Sequence, residues 1–206
     1  MRRVAVVLLV LLGALAGCAG GGAQPGELAP PTKADACTPL TPPPAVPGTS
    51  PSSPGSGASG TEPAREPLPE VGLPCFDRGR IVYVGQLRGP AVINLWASWC
   101  GPCRTELPAF KRYSQRAAGL VTVVGVNSED SRTGATSIVE DLGLTFPNLV
   151  DDRGKLRTGL GKTALPVTVF VDRAGRIAHV YNFEALDEDN LELLVEQYLG
   201  VVVPRQ

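Results

Sequence analysis

The stretch that decides the fold is residues 92–110, which read VINLWASWCGPCRTELPAF. It begins within an apolar run, Ala91–Trp96, of the type that forms a buried strand. C-terminal to this run, the helical spacing of apolar residues predicts a helix from Cys103 to Ala118. The segment between them, residues 99–103 (WCGPC), is therefore expected at a strand-to-helix junction.

The two cysteines of this junction have the spacing and setting of a redox pair. Cys100 falls at the helix N-terminus, where unpaired N–H groups and the helix dipole favour an anion. The pKa of a thiol in such a motif falls from about 8.5 to around 7 or below, so Cys100 is predicted to be the attacking thiolate. Cys103, one helical turn further on, is placed to resolve the mixed disulfide. Gly101 and Pro102 keep the ring between the cysteines compact.

Other uses of a cysteine pair fit this sequence less well. A zinc site needs four ligands, usually in two close pairs, and the remaining candidates, Cys37 and Cys75, are 38 positions apart. Haem attachment needs a histidine after the second cysteine, and that residue is Arg104. We therefore predict no metal site and no cofactor other than a redox-active Cys100–Cys103 disulfide. A purely structural disulfide is the alternative.

The C-terminal part of the chain, residues 75–206, alternates strands with helices. Apolar patterns predict strands at 79–84, 120–126, 167–172 and 177–181, a short extended piece at 146–150, and helices at 135–142 and 186–199. Asp187 is the expected N-cap of the last helix. The alternation predicts an α/β domain with a central mixed sheet flanked by helices, which a final hairpin closes with an antiparallel edge.

The first 17 residues have the layout of a secretory signal, with a basic start, a short apolar block and small residues. The block is shorter than the roughly 20 residues of a membrane-spanning helix. Residues 15–18, LAGC, resemble the lipobox of bacterial lipoproteins, in which the cysteine thiol is lipidated and the signal is cut before it. The resemblance implies that Cys18 is lipidated and anchors the chain to the outer face of the membrane. An ordinary cleaved signal is the alternative.

Residues 18–74 differ in composition from the rest of the chain. They hold 14 of the 20 prolines and no aromatic residue, so they are predicted to be a disordered tether that cannot offset its ordering entropy by burial. The whole chain has a net charge of −1 and one histidine. This balance excludes a general nucleic-acid binder and any metal site built from several histidines.

Residues 92–110 resemble the thioredoxin superfamily. Within it they resemble the TlpA/ResA/DsbE branch of extracytoplasmic thiol–disulfide proteins, as a bacterial lipoprotein similar to actinobacterial proteins of cytochrome c maturation. The resemblance extends over about residues 78–200 and implies a thioredoxin-like fold. It also implies that Pro166 is cis, faces the cysteines and leaves the backbone of Leu165 free to bind an extended peptide. Trp99 would pack beside the sulfur atoms and, with Gly101 and Pro102, complete the substrate-binding set.

Glu106 follows Cys103 by three residues, where ResA-like proteins carry an active-site glutamate. Asn94 stands where cytoplasmic thioredoxins have a buried aspartate, so the resemblance leaves Glu106 as the candidate proton acceptor. The alternative is a solvated residue in the first turn of the helix, favoured by the helix dipole.

Cys37 and Cys75 remain as a second pair. In an oxidising compartment, an even number of remaining cysteines favours a disulfide, which would pin the tether against the domain. A second redox pair, or free thiols, is the alternative.

Together these observations predict a membrane-anchored, extracytoplasmic thiol–disulfide oxidoreductase, and the resemblance implies that it is a reductant in cytochrome c maturation. The resemblance implies protein thiol or disulfide substrates such as apocytochrome c, and an electron donor of the CcdA/DsbD type in the membrane. A monomer without a nucleic-acid partner is expected. The alternatives are an oxidase or general exchange enzyme for secreted proteins, and a non-catalytic binding module. A peroxiredoxin would need a Thr-x-x-Cys site, which the segment before Cys100 does not offer.

Overall fold

A mixed sheet forms the centre of the computed structural model, which describes residues 37–40, 65–77 and 79–204. The elements of this part of the chain are β1 (Gly72–Pro74), β2 (Ile81–Tyr83), β3 (Ala91–Trp96), α1 (Gly101–Arg116), β4 (Thr122–Ser128), α2 (Arg132–Asp141), β5 (Asn148–Asp151), α3 (Lys155–Gly159), β6 (Val167–Val171), β7 (Ile177–Tyr181) and α4 (Glu188–Leu199).

The central strand of the sheet is β3. It pairs in parallel with β4 and antiparallel with β6, within the strand order β5-β4-β3-β6-β7. With strands on both sides and packed layers on both faces, all six residues of β3 are buried. β1 and β2 form a separate antiparallel pair. This architecture confirms the predicted α/β fold with a central mixed sheet.

Successive side chains of β3 enter two different apolar clusters, because side chains alternate between the faces of a strand. Val92 and Trp96 join the cluster that contains both cysteines of residues 99–103 and the apolar residues of α1 and α4. Ile93 and Leu95 join the second cluster, with residues from β1, β2 and α3. The predicted redox pair therefore belongs to one face of the sheet.

Several bounds predicted from the sequence agree with those of the structure. β3 and β7 have their predicted bounds, and the helix after the cysteines begins at Gly101, two residues before its predicted start. Asp187 is the N-cap of α4, since its side chain accepts the Asn190 N–H at 2.8 Å. The sequence did not predict α3, because five residues are too few to show a helical period. The Asp151 side chain fixes its start by accepting the Lys155 N–H at 2.7 Å.

The last ten residues of the predicted tether are part of the packed structure. Residues 65–74 pack on the domain, with Leu68 and Leu73 only 2 % and 3 % exposed and with β1 paired to β2. These two leucines supply the burial that the tether's average composition lacks. The predicted signal, residues 1–17, and most of the remaining tether lie outside the described residues.

Candidate active site

The strand-to-helix junction forms the candidate active site. β3 ends at Trp96 and α1 begins at Gly101, with Cys100 as the N-cap. Cys100 and Cys103 are joined by a disulfide, and Cys100 Sγ accepts the Cys103 backbone N–H at 3.2 Å. In the reduced protein, an N–H aimed at Cys100 Sγ and the positive end of the helix dipole favour a thiolate at Cys100.

The two cysteines differ in their access to solvent. Cys103 is 0 % exposed and Cys100 is 5 % exposed, whereas Gly101 and Pro102 are exposed on the first turn of α1. No neighbouring atom lies within 4 Å of the position that a Cβ on residue 101 would take, so the space in front of this turn is open. Cys100 is therefore the more accessible of the two cysteines to an incoming sulfur.

Trp99 projects from the junction, with 60 % of its surface exposed. Its indole Nε1–H donates to the backbone oxygen of Glu129 at 3.0 Å, which fixes one edge of the ring. A large aromatic side chain exposed beside a reactive cysteine offers contact area to a partner.

The peptide bond between Leu165 and Pro166 is cis, as the resemblance implied. Leu165 packs against the apolar cluster that contains both active-site cysteines. Leu95 pairs with Val167, so Pro166 comes beside the end of β3, where the active-site loop begins. The side chain of Asn182, which directly follows β7, donates to the oxygen of Pro166 at 2.6 Å and so fixes this turn to the end of that strand.

Glu106 is buried beneath the cysteines' helix turn, at 1 % exposure, so it is not the solvated helix residue of the alternative interpretation. The Asn94 amide donates to Glu106 Oε1 at 2.6 Å, and the Leu186 N–H donates to Oε2 at 3.1 Å. Burial raises the pKa of Glu106 to about 7, and the two hydrogen bonds offset part of that rise. The carboxyl group can therefore take up and release a proton near neutral pH.

Glu106→Gln is expected to remove a pH-dependent part of the stability. Because the folded pKa is raised from 4.5 to about 7, the folded state keeps a proton that the unfolded state loses, and the free energy of unfolding falls as the pH rises through that window. This pKa shift corresponds to a change on the order of 3 kcal/mol in the free energy of unfolding. Gln cannot ionise, so the variant should lack this decline. The buried Asn94 Oδ1 has no hydrogen-bond partner, so an amide flip at Asn94 lets it accept from the new side chain.

Urea unfolding at about pH 5 and about pH 8 measures this effect. Glu140→Gln, at an exposed position of α2, is the matched control. Its free energy of unfolding should fall between the two pH values as that of the wild type does. An equal decline in the wild type and in Glu106→Gln would contradict the prediction.

Sequence reasoning missed two groups that hold the site. Asp130, just after β4, accepts hydrogen bonds from Ser98 in the active-site loop. Asn182, just after β7, holds the turn of Pro166. The signal for Asp130 was available, because the carboxyl ends of the parallel strands β3 and β4 meet at one edge of the sheet.

Cys37 and Cys75 form the second disulfide of the described residues. They are 0 % and 2 % exposed and belong to the apolar cluster on the opposite sheet face from Cys100 and Cys103. Burial of both sulfur atoms keeps thiolates away from this bond, so the geometry fits a structural disulfide better than a second redox pair.

In the part of the chain that the structure describes, no group of three or more His, Cys, Asp or Glu residues could hold a metal ion. The same residues include no helix with the length and hydropathy needed to cross a bilayer. The predicted lipidation site, Cys18, lies outside them.

Known proteins resemble this chain in sequence and in structure. The thiol:disulfide interchange protein DsbE homolog of Paracoccus denitrificans is 38% identical over 106 residues, which are 50% of this chain and 57% of that protein. The thiol-disulfide oxidoreductase ResA of Geobacillus thermodenitrificans is 27% identical over 128 residues, 61% of this chain and 71% of that one. The chain thus spans little more than half of the Paracoccus relative's length.

The crystal structure of a DsbF homologue from Corynebacterium diphtheriae superposes with a TM-score of 0.58 at 27% identity, over 71% of this chain and 96% of that one. These similarities confirm the thioredoxin-like fold and the resemblance to the DsbE and ResA proteins that residues 92–110 indicate. The model of the AhpC/TSA family matches residues 64–180, more than half of the chain. The chain therefore belongs to the AhpC/TSA family.

Proposed function

We propose that this protein is a thiol–disulfide oxidoreductase whose Cys100–Cys103 pair exchanges electrons with the disulfides of other proteins. The position of the pair carries the proposal, since Cys100 caps a helix N-terminus at the edge of the surface and Cys103 lies buried one turn behind it. The names of the DsbE and ResA relatives support it.

In the reducing direction, the Cys100 thiolate attacks one sulfur of a substrate disulfide, and the other substrate sulfur leaves as a thiolate that takes up a proton. Cys103 then gives up its proton and attacks Sγ of Cys100. This step closes the Cys100–Cys103 disulfide and releases the second substrate sulfur, which also takes up a proton. The substrate gains two electrons and two protons, and the protein ends in the oxidised form described above.

Glu106 is the group that we propose accepts the proton of Cys103. The two residues are three positions apart on α1, a spacing that places side chains on one face of a helix. Both are buried, so little water competes for the proton. A pKa of about 7 matches the carboxyl group to proton transfer near neutral pH.

We further propose that the protein works outside the cytoplasm as a reductant in cytochrome c maturation, held at the membrane by a lipid on Cys18. The resemblance of residues 92–110 to ResA-like proteins and the Gly101-Pro102 dipeptide of reducing thioredoxins support the role. The buried Cys37–Cys75 disulfide supports an oxidising compartment. In this proposal apocytochrome c is a substrate, and a membrane protein of the CcdA/DsbD type supplies electrons.

The reduction potential of the Cys100–Cys103 pair tests both the activity and its direction. We expect a value of roughly −270 mV, as in reducing thioredoxins. Equilibration with dithiol buffers, followed by alkylation and peptide mass spectrometry, reports each disulfide separately. A value near about −120 mV, that of a strong oxidant, would overturn the reductant role. A pair that stays oxidised under excess dithiol would overturn the activity itself.

A further inference from the structure

The loop that carries Trp99 and Cys100 is held by the residues that follow β4. The Asp130 carboxylate accepts the backbone N–H of Ser98 at 2.6 Å and the Ser98 hydroxyl at 2.7 Å, one on each oxygen. The same carboxylate accepts the Asn127 amide and the Ser131 N–H, both at 2.8 Å. Asp130 thus joins the active-site loop to the end of β4 and the start of α2.

Glu129 holds the other end of the loop through its backbone oxygen, which accepts the Trp99 indole N–H at 3.0 Å. Its φ of 48° is in the left-handed region, and no other described non-glycine residue has a positive φ. Its N–H donates to the oxygen of Asp151 at 2.9 Å, and its carboxylate pairs with Arg157. A strained residue keeps such a conformation only where surrounding contacts fix it.

The loop also lies directly against the first turns of α2. A Cβ on residue 134 would overlap the Ser98 hydroxyl oxygen, so any residue other than Gly134 would force this hydroxyl group to shift. The hydroxyl group thus lies between Gly134 of α2 and the Asp130 carboxylate that accepts its hydrogen bond.

We propose that Asp130 is a positioning residue that acts through Ser98 to hold Trp99 and Cys100 in the arrangement that an incoming disulfide meets. This inference rests on the proposed function, because positioning matters only where a sulfur must be aligned for attack. Small displacements of a reacting group lower rates strongly, since a correctly held group has already lost the freedom that the reaction would otherwise remove. Without Asp130, both hydrogen bonds to Ser98 are lost at once.

The test measures the reaction of reduced protein with an aromatic disulfide reagent such as 5,5′-dithiobis(2-nitrobenzoate). We expect Asp130→Ala to lower the second-order rate constant at least about ten-fold. Ser98→Ala keeps the hydrogen bond from the backbone N–H, so its rate constant should fall less. The double variant Ser98→Ala/Asp130→Ala should react no more slowly than Asp130→Ala alone. Asp130→Asn keeps one acceptor oxygen and should recover part of the rate. Asp152→Ala, on an exposed turn, is the control and should react as the wild type does.

A second readout follows the loop itself. Acrylamide reaches the exposed indole of Trp99 and not the buried one of Trp96, so its quenching constant reports the freedom of Trp99. We expect a higher constant in oxidised Asp130→Ala at temperatures well below its unfolding transition. Wild-type rate and wild-type quenching in Asp130→Ala would overturn the inference. If the wild type fails to react with any disulfide, the proposed function fails, and the quenching measurement alone still decides whether Asp130 positions the loop.

Discussion

Cys100→Ser is expected to abolish the exchange of electrons with protein disulfides. Cys100 is the more exposed cysteine of the pair, and a serine hydroxyl does not form an anion near neutral pH as a thiol does. Loss of the nucleophile should lower the rate at least about a thousand-fold, as it does in other enzymes with covalent intermediates. Insulin reduction in the presence of dithiol measures this rate.

Cys103→Ala should stop the reaction one step later. Cys100 remains able to attack, but no second thiol is present to release the substrate, so the mixed disulfide accumulates. Non-reducing gels should show adducts for Cys103→Ala and none for the double variant Cys100→Ser/Cys103→Ala, which is the control. Adducts that persist in the double variant, or full activity in Cys100→Ser, would contradict the assigned order of attack.

Removal of the second disulfide is expected to have the largest effect on stability. Replacing Cys37 and Cys75 by Ala opens a loop of 38 residues, and the chain-entropy estimate for a loop of that length is about 4 kcal/mol. Alanine is preferred to serine because both positions are buried, where an unpaired hydroxyl would add its own cost. Urea unfolding of the two proteins measures the difference in the free energy of unfolding.

The matched control is the Cys100→Ala/Cys103→Ala variant. Its disulfide closes a loop of only 3 residues, so the same estimate gives a loss of about 2 kcal/mol. A loss for the Cys37 and Cys75 pair that is no larger than this control would show that the long loop adds no stability.

The residues around the cysteines allowed much of the fold to be predicted, because the decisive signals there are local. An apolar run of six residues defines β3, and a cysteine pair at its end defines the start of α1. The state of Glu106 could not be decided in this way. Its burial depends on Asn94 and on Leu186, which is 80 residues away in the chain. Sequence spacing does not report such contacts.

The segment before β2 shows a different limit of sequence reasoning. Residues 65–74 include three prolines, one glycine and few large apolar residues, so the average composition of this segment matches that of the tether. The sheet edge and the apolar face that receive Leu68 and Leu73 are built from residues far along the chain, such as Leu149 and Leu156. The burial of Leu68 and Leu73 decides the structure of this segment. An average over the composition of the segment does not show which side chains will be buried.

The Cys37–Cys75 disulfide sets the length of chain that separates Cys18 from its first attachment to the domain. With a lipid on Cys18 as proposed, the chain would run 19 positions from the lipidated residue to Cys37, where the disulfide ties it to the domain. A fully extended chain of that length spans at most about 65 Å. If loss of the disulfide also released residues 37–40, the next packed segment would begin at Arg65, 47 positions from Cys18, and the limit would rise to about 160 Å. If the proposed lipid is present, the bond would keep the point where the tether meets the domain within the shorter distance of the membrane.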